Sequence, residues 1–558
     1  MKQAATYNSE AYIEGISLDK KGNAVVVESV EGSQDKPMKS KVYDEKSKSF
    51  SNEREVPITY FETTNSLVRG NGDYDLFYLN SGKMYGYKYS DESSKIILDF
   101  YASDISADDV GSITPLSNET FISKTAGSEG SVVTRYNKVD PETIKDRKIL
   151  TYMSLYESYD MKQAILEFNR SHTDVRINMI NYSGEMDPMG KMSADIAAGN
   201  LPDIYDISSG NVGGMSVEQC MAKGMFEDMT PFLSADPELS EEDFIPNILE
   251  AMKTDGKLYR ICPSFSIMTL MGRASDIGEE PGWNFSEMKA YVDEQDEEVR
   301  LFETTNKSQN LDYFLYGGMN DFVDWETGKC TFDSPEFKDL LMMCDRGNND
   351  QVEWDQENSI PNLMKNNQLL FIQGGLSPED MQMYTYLFEG DISFKGYPNE
   401  DRNGTFVNFY SSLAVSSKSA YKDEAWEFLR TLLTEEYESE DYQVMYRLPV
   451  RQDVFEEYMN YITNTEEGAT DKYGNEMLPI STSIGWYDMQ IDIHPFTEEE
   501  AKEYRSLVES ADGVWSYDMN IDKIVQEEAK AFFEGDKSVD DVTFIIQNRA
   551  NTYINENK

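Results

Sequence analysis

Long hydrophobic runs are missing from this 558-residue chain. No stretch of 18 apolar residues occurs, so no membrane-spanning helix is expected. Met1-Lys2-Gln3 is followed by no apolar stretch, so no signal peptide is expected here. If the protein is exported, its leader has already been removed. Histidine is scarce, with His172 and His494 the whole supply. Two isolated imidazoles are too few for a histidine-rich metal centre and leave little material for a catalytic triad. His172 follows a helix end, where it is expected to face the C-terminal dipole. Cys220, Cys262, Cys330 and Cys344 lie too far apart for a CxxC metal or redox motif. Four cysteines in this length make no disulfide framework, and free, buried thiols are expected. Gly-x-Ser-x-Gly, GxGxxG and phosphate-loop patterns are absent. Positive charge is outnumbered: 50 Lys and Arg face 103 Asp and Glu, a net charge of −53. Phosphate repulsion therefore excludes nucleic acid as a partner and disfavours anionic lipid.

The acidic residues are scattered among apolar ones, so the charge reads as a solvated surface rather than a disordered tail. Carboxylates are so numerous that spacing selects no acid–nucleophile pair. Asp401-Arg402-Asn403-Gly404 fits an Asx turn more readily than a calcium loop. No catalytic residue, no metal site and no cofactor are expected. Apolar residues make up 39% and aromatic residues 12%, enough for real cores. At roughly 150 residues per domain, the length suggests about three or four units.

The organising stretch is Lys148 to Ser209. Ile149 to Met153 is a short apolar run, as in a parallel strand covered on both faces. Asp160 is placed to cap a helix with Met161, Ala164, Ile165 and Phe168 on one face. Val175, Ile177 and Met179 alternate as a strand. Pro188 opens a second helix with Met189, Met192 and Ile196 on one face, stopped at Gly199-Asn200. Leu201 to Ile207 leads into a third strand. Strands alternating with helices predict a parallel sheet, with ligand loops beyond the strands' carboxyl ends. Those loops are Ser154 to Tyr159 and Ser208 to Gly214.

Residues 1 to about 146 have a different texture. Short alternating runs appear at Ala24 to Val27, Tyr74 to Leu79, Met84 to Tyr89, Lys95 to Phe100, Thr120 to Ser123 and Ser131 to Tyr136. Gly22-Asn23, Gly70 to Asp73, Asn80-Ser81-Gly82 and Gly127 to Gly130 separate them. A β-rich region is expected, either an open meander or an incomplete propeller, since two or three blades cannot close a ring. Thr143 to Lys148 reads as the polar junction.

Further along, Val217 to Met225 reads as a helix, Phe226 to Leu233 as a loop and Lys257 to Pro263 as a strand running on to Ser264–Met268. Asn284 with Glu287 forms a capping box, which makes Trp283 a packing residue at a helix entry. Ser334 caps and Pro335 opens another helix. Leu369 to Gln373 is a strand ending in Gly374-Gly375. Phe406 to Ser416 follows, and Asp423 to Leu433 is an amphipathic helix. Ile521, Ile524 and Val525 start a helix that Gly535 ends. Ser538 to Asp541 caps the last helix, with Val542, Ile545, Ile546 and Tyr553 on its face.

The ordered set of these pieces resembles the sugar-type extracellular solute-binding proteins of ABC importers. The strand-loop-helix ending in EFN, the helix ending AAGNLPDIYD, Gly282-Trp283-Asn284 and the tail EEAKAFFEGDKSVDDVTFIIQNRANTYINE carry it. It covers about residues 148 to 558; the β-rich start resembles the propeller-like region of some Gram-positive relatives. The resemblance implies an α/β, two-lobed, periplasmic-binding-protein-like (type II) domain over 147–558, preceded by the antiparallel β-rich region 1–146. Lobe 1 is placed at about 147–265 and 405–455, lobe 2 at about 266–404 and 456–558. It implies a monomeric, non-catalytic receptor that passes a small solute, a mono- or oligosaccharide, to a membrane ABC permease. It also implies a cell-surface location, with a lipid anchor on the full-length precursor.

Sugars present apolar C–H faces that stack on rings, while carboxylates and amides bind their hydroxyls. The 35 Tyr and 6 Trp supply rings in plenty. Strand-end loops offering both kinds of group are Tyr156 and Glu157, Ser208 and Ser209, Phe265 and Ser266, Gly374 and Gly375, and Asn408 and Tyr410. Trp515, Tyr517 and Asp518 precede the helix from Ile521, where relatives place an aromatic facing the cleft. Trp486 joins the candidates, in a segment whose fold is not legible. A secreted carbohydrate-active enzyme with a β accessory module, or a surface adhesin, is the alternative left open by the residues.

Overall fold

Alternation and tight turns make the N-terminal region an antiparallel structure. The computed structural model describes residues 7–9, 11–29, 37–57, 67–80, 82–106, 110–127, 130–140, 142, 146–325, 327–346, 357–441, 446–486 and 489–557. By its internal contacts the chain divides into two units, Met1–Lys148 with Tyr159–Arg176, and Ile149–Ser158 with Ile177–Lys558.

In the first unit the strands form three sheets in sequence order. Ile13–Leu18, Ala24–Glu28, Met38–Asp44 and Ser49–Val56 make the first. Leu67–Arg69, Leu76–Asn80, Lys83–Lys88 and Ser93–Asp99 make the second, and Val110–Pro115, Thr120–Gly127 and Gly130–Asn137 the third. Neighbouring sheets are joined by apolar clusters. Val27, Met38 and Val56 meet Tyr78 and Tyr87, while Phe77 and Met84 meet Ile113 and Phe121. These are meanders stacked like blades, and they form no closed barrel among the described residues.

Met38–Asp44 and Ser49–Val56 were not legible because charged residues interrupt their apolar alternation. Lys41 pairs with Glu28 at 2.8 Å, and Lys39 with Glu53 at 2.5 Å. The helix Tyr159–Ser171 also groups with this unit. Asn169 and Arg176 both donate to Asp104 Oδ1, at 3.2 and 2.9 Å. Asp160 lies inside the helix's first turn instead of capping it. The expected junction residues Thr143, Ile144 and Lys145 lie outside the described residues, as do Ser81, Ser128, Glu129 and the first three residues.

One local rule operates in both units. Asp19 Oδ1 accepts from the backbone N–H of Lys21 and Asn23 at 2.9 and 2.8 Å, and Asn23 Nδ2 donates to Oδ2 at 2.9 Å. Asp471 does the same for Tyr473 and Asn475, at 2.9, 2.8 and 3.0 Å. Both segments read Asp-Lys-x-Gly-Asn, and both glycines, Gly22 and Gly474, take positive φ, 85° and 90°. An Asx turn that needs a left-handed fourth residue explains the shared pattern.

The second unit is a two-lobed α/β structure of the periplasmic-binding-protein type. One sheet runs Val175–Asn181, Lys148–Ser154, Ile204–Asp206 and Leu413–Val415, in that order. Tyr152 and Met153 pair in parallel with Ile204 and Tyr205. Leu413–Val415 closes the sheet antiparallel. Met153, Tyr205 and Val217 lie in the core, with Met189 and Ile196 of the helix Pro188–Ala197 packed against it. Asp187 caps that helix by accepting from Gly190 N at 3.0 Å.

A second sheet is built on Ser264–Arg273, which pairs with Ile372–Gly375, Ile392–Phe394, Phe406–Tyr410 and Leu448–Pro449. Gly513–Val514 adds to Phe406–Tyr410 in parallel. Trp283 is buried and donates from Nε1 to Gly396 O at 2.8 Å. Beside it the capping box Asn284–Glu287 opens the helix Phe285–Asp293. The last two helices, Met519–Phe533 and Val539–Asn557, pack their apolar faces into the same core. All four cysteines are free and buried.

Several elements differ from expectation. Phe226 to Leu233 is not all loop: Thr230–Ala235 is a helix, whose first turn Pro231 suits. Val217–Ala222 stops before Gly224. Lys257–Leu258 is a short hairpin strand, and the long strand begins only at Ser264. Phe406 to Ser416 is split into Phe406–Tyr410 and Leu413–Val415 at Ser411, whose φ is 51°.

Candidate functional site

Ser264–Arg273 and Phe406–Tyr410 are antiparallel neighbours in the second sheet. Their register pairs Ser264 with Tyr410, Phe265 with Phe409, Ser266 with Asn408, Ile267 with Val407 and Met268 with Phe406. Directly opposed residues share a face. Phe265, Ile267, Val407 and Phe409 thus share one face, and all are buried. Ser264, Ser266, Met268, Asn408 and Tyr410 share the other, with Gly375 opposite Met268. That second face is a polar strip. Ser266 Oγ donates to Tyr410 Oη at 3.2 Å, and the Arg447 guanidinium lies 5.8 Å from the Tyr410 ring centre.

At one end the strip meets a wall of rings. Phe406 lies 6.1 Å from Trp515, and Trp515 N donates to Val407 O at 2.8 Å. Tyr397 and Tyr316 lie 6.0 and 6.3 Å from Trp515, and Tyr316 lies 5.0 Å from Tyr517. Gly317 makes this possible. A Cβ there would sit 2.9 Å from Trp515 Cζ3 and 3.0 Å from Phe406 Cε2, so only glycine lets the rings rest on the helix Lys307–Gly318.

Behind the rings is a pair of acids. Tyr517 Oη donates to Asp522 Oδ2 at 2.8 Å, and Gln526 Nε2 donates to Asp312 Oδ1 at 2.5 Å. Burial, then the neighbouring charge of Asp522, pushes the Asp312 carboxyl up to about 6. Burial raises Asp522 as well. Two carboxyls this close favour sharing a proton over double ionisation. Burial and the Asp522 charge hold the Tyr517 hydroxyl protonated.

At the other end lie the first-lobe loops. Ser208 N donates to Asp206 Oδ1 at 2.9 Å and Ser208 Oγ to Ser412 O at 3.4 Å, which ties this loop to the chain two residues beyond Tyr410. Ser209 Oγ donates to Asn211 O at 3.0 Å. Asn520 Nδ2 donates to Gly214 O at 2.9 Å, tying the end of the loop to the helix that follows the ring wall.

The expected residues therefore divide. Ser266, Asn408, Tyr410 and Gly375 share the strip, Trp515 and Tyr517 the wall, and Ser208 and Ser209 the adjoining loop. Gly374 is opposite Thr269, on the reverse face, where an added Cβ would meet Tyr384 Oη at 2.7 Å. Phe265 is fully buried on that reverse face. Asp518 is buried, and its Oδ1 caps the helix Met519–Phe533 by accepting from Asn520 N and Ile521 N, both at 2.9 Å. Tyr156 and Glu157 are exposed at the end of Lys148–Ser154. Trp486 ends the strand Thr482–Trp486; its side chain, and Tyr487, lie outside the described residues. Sequence reasoning missed Tyr316, Tyr397, Asp312, Asp522 and Arg447. The legible trace of the first was Tyr316-Gly317-Gly318 inside a helix, where paired glycines cost stability without a packing reason.

Among the described residues no group of three or more His, Cys, Asp or Glu could hold a metal ion. No helix among them is long and apolar enough to cross a membrane.

Crossing strands between two α/β lobes, with loops converging on one face, define a solute-binding architecture. Residues 163–470 match the family model described as bacterial extracellular solute-binding protein, more than half of the chain, and the chain belongs to that family. A comparison with curated proteins found no match. Among solved structures, an ABC substrate-binding protein from Listeria monocytogenes in complex with cycloalternan is similar at 16% identity, over 74% of this chain and 100% of its own, with a TM-score of 0.43. The sugar-binding protein MalE from Xanthomonas citri is similar at 13% identity, over 73% and 98%, with a TM-score of 0.46. The cyclic alpha-maltosyl-1,6-maltose binding protein from Arthrobacter globiformis is similar at 17% identity, over 74% and 100%, with a TM-score of 0.43.

Proposed function

We propose that the chain is the surface receptor of an ABC importer, and that it captures a carbohydrate without turning it over. The solute would sit on the strip Ser266–Asn408–Tyr410, stacked on Trp515 and Tyr517, with the Ser208–Ser209 loop closing over it from the first lobe. The observation that carries this reading is the polar strip abutting a ring wall on one face of the crossing strands. Hydroxyl, amide and aromatic groups side by side are what a sugar's mixed surface requires. Family membership supports the receptor role. A membrane permease is the partner this role demands, and a lipid anchor would hold the receptor beside it.

The lobes proposed are about 147–265 with 405–455, and about 266–404 with 456–558. Binding would close them about the crossing strands. Residues 1–146 would be an accessory β-rich region, and the receptor would act as a monomer. A thermal-shift screen of mono- and oligosaccharides tests the reading, because a ligand that binds only the folded state raises its melting point. The expected result is a dose-dependent rise with one sugar class and full recovery of that sugar unchanged. No rise with any sugar, or its conversion to smaller products, would overturn it.

A further inference from the structure

The strands Thr482–Trp486 and Met489–Ile493 pair only with each other, as a two-stranded hairpin. His494 shows where the second strand's outer edge looks. Gln382 Nε2, on the helix Pro378–Leu387, donates to His494 O at 3.0 Å and lies 3.2 Å from His494 Nδ1. His494 N donates back to Gln382 Oε1 at 3.1 Å. This buried side-chain amide pairs with His494 as the peptide group of a neighbouring strand would. Inward and outward backbone groups alternate along an antiparallel strand, and the register is unbroken from Met489 to Ile493. The N–H and C=O groups of Asp492 and Gln490 therefore point the same way as those of His494, out of the hairpin. Among the described residues nothing bonds to them. This edge borders a groove of about 680 Å³, whose lining includes the buried Met364, Leu387 and Ile491 and the half-exposed ring of Tyr386. None of the strip or ring-wall residues lines it.

An unpaired strand edge is a template for another strand, and proteins blunt such edges with lysine, proline or a bulge. Met489–Ile493 carries none of these. We propose that this groove docks an extended, basic peptide segment of a partner protein, which adds to Met489–Ile493 as a third strand. Its backbone would bond to Gln490 and Asp492, continuing the ladder that Gln382 begins at His494. Every second side chain would enter the apolar groove, and the others would face water. The lining carries Glu389, Asp492 and Glu500 against Lys365 alone, on a chain of net charge −53. That balance favours a basic segment and disfavours a second copy of this chain.

Isothermal titration of the full chain with the peptide acetyl-KVKIKVK-amide tests this, beside the same peptide with N-methylated backbone amides and the acidic acetyl-EVEIEVE-amide. Amide hydrogen exchange is followed in parallel. The expected result is saturable binding of the basic peptide, with both counterparts weaker by about tenfold or more. Exchange at Gln490 and Asp492 should slow when the basic peptide is added. Gln490→Pro removes one outward donor without touching the hairpin's own bonds, and should weaken the basic peptide by about the same factor. The peptide comparison uses the unaltered chain and so stands even if Gln490→Pro fails to fold. Equal affinity of the basic peptide and either counterpart, no binding up to about 1 mM, or protection that spares Gln490 and Asp492 would each overturn the assignment. Slow exchange at both residues without peptide, in a chain that sediments as a dimer, would give the edge to a second copy and overturn it as well.

Discussion

The two faces of the crossing strands differ although they share one backbone. One face carries Phe265, Ile267, Val407 and Phe409, all buried. The other carries Ser266, Asn408 and Tyr410, small or polar, and runs into partly buried rings. A strand with period two can serve stability on one side and recognition on the other. The contrast teaches that neighbours in sequence can take different parts: Phe265 packs in the core, and Ser266 lies on the strip proposed for the solute.

Substitution should separate the two faces. The largest effect is expected from Phe265→Ala, which should lose about 3–5 kcal/mol of stability in urea unfolding, as for other buried aromatics. Ser266→Ala removes only its bond to Tyr410 and should cost about 1 kcal/mol. Similar losses at both positions would erase the distinction between the faces.

Gly317→Ala should come next. Its new Cβ would press on Trp515 and Phe406, so overpacking of about 1–3 kcal/mol is expected in place of the usual helix gain from alanine. A raised melting point would show that the rings do not rest on this helix.

The smallest effect concerns the acid pair. The carboxyl of Asp312 is raised from 3.8 to about 6 in the folded chain. Between those values the folded state holds the proton more tightly than the unfolded one, so stability falls as pH rises through the window. Asp312→Asn keeps an acceptor for Gln526 and removes the charge. It should melt above the unaltered chain at pH 7.5 and with it at pH 3.5. The apparent titration belongs to the pair with Asp522, not to one residue. A variant that melts lower at both pH values would refute the shared-proton reading.

The sequence disclosed much of the second unit because its elements carry strong local signals. Asn284 with Glu287, Ser334 with Pro335 and Ser538 with Asp541 all cap where their patterns indicated. Trp283 was legible as a packing residue for the same reason. Face assignment was harder. Both Phe265 and Ser266 were plausible at a strand end, and only pairing register says which way each points. Asp518 was read as a hydroxyl acceptor, but the helix begins at Met519, two residues before the Ile521 of the apolar pattern, and takes one of its oxygens for the cap. The acid pair and Arg447 were illegible, since their partners are distant in sequence. The charged strands of the N-terminal unit failed for another reason: ion pairs across strands leave no apolar alternation to read.

The most direct measurement is calorimetric titration of the best-stabilising sugar into the unaltered chain, Trp515→Ala and Tyr517→Ala, with unliganded melts alongside. Each ring is expected to contribute about 1–3 kcal/mol to binding, on the scale of lost aromatic burial, with the larger loss of affinity than of stability. Unchanged affinity in both variants, with lowered melting points, would make the rings packing residues alone and contradict the solute site described here.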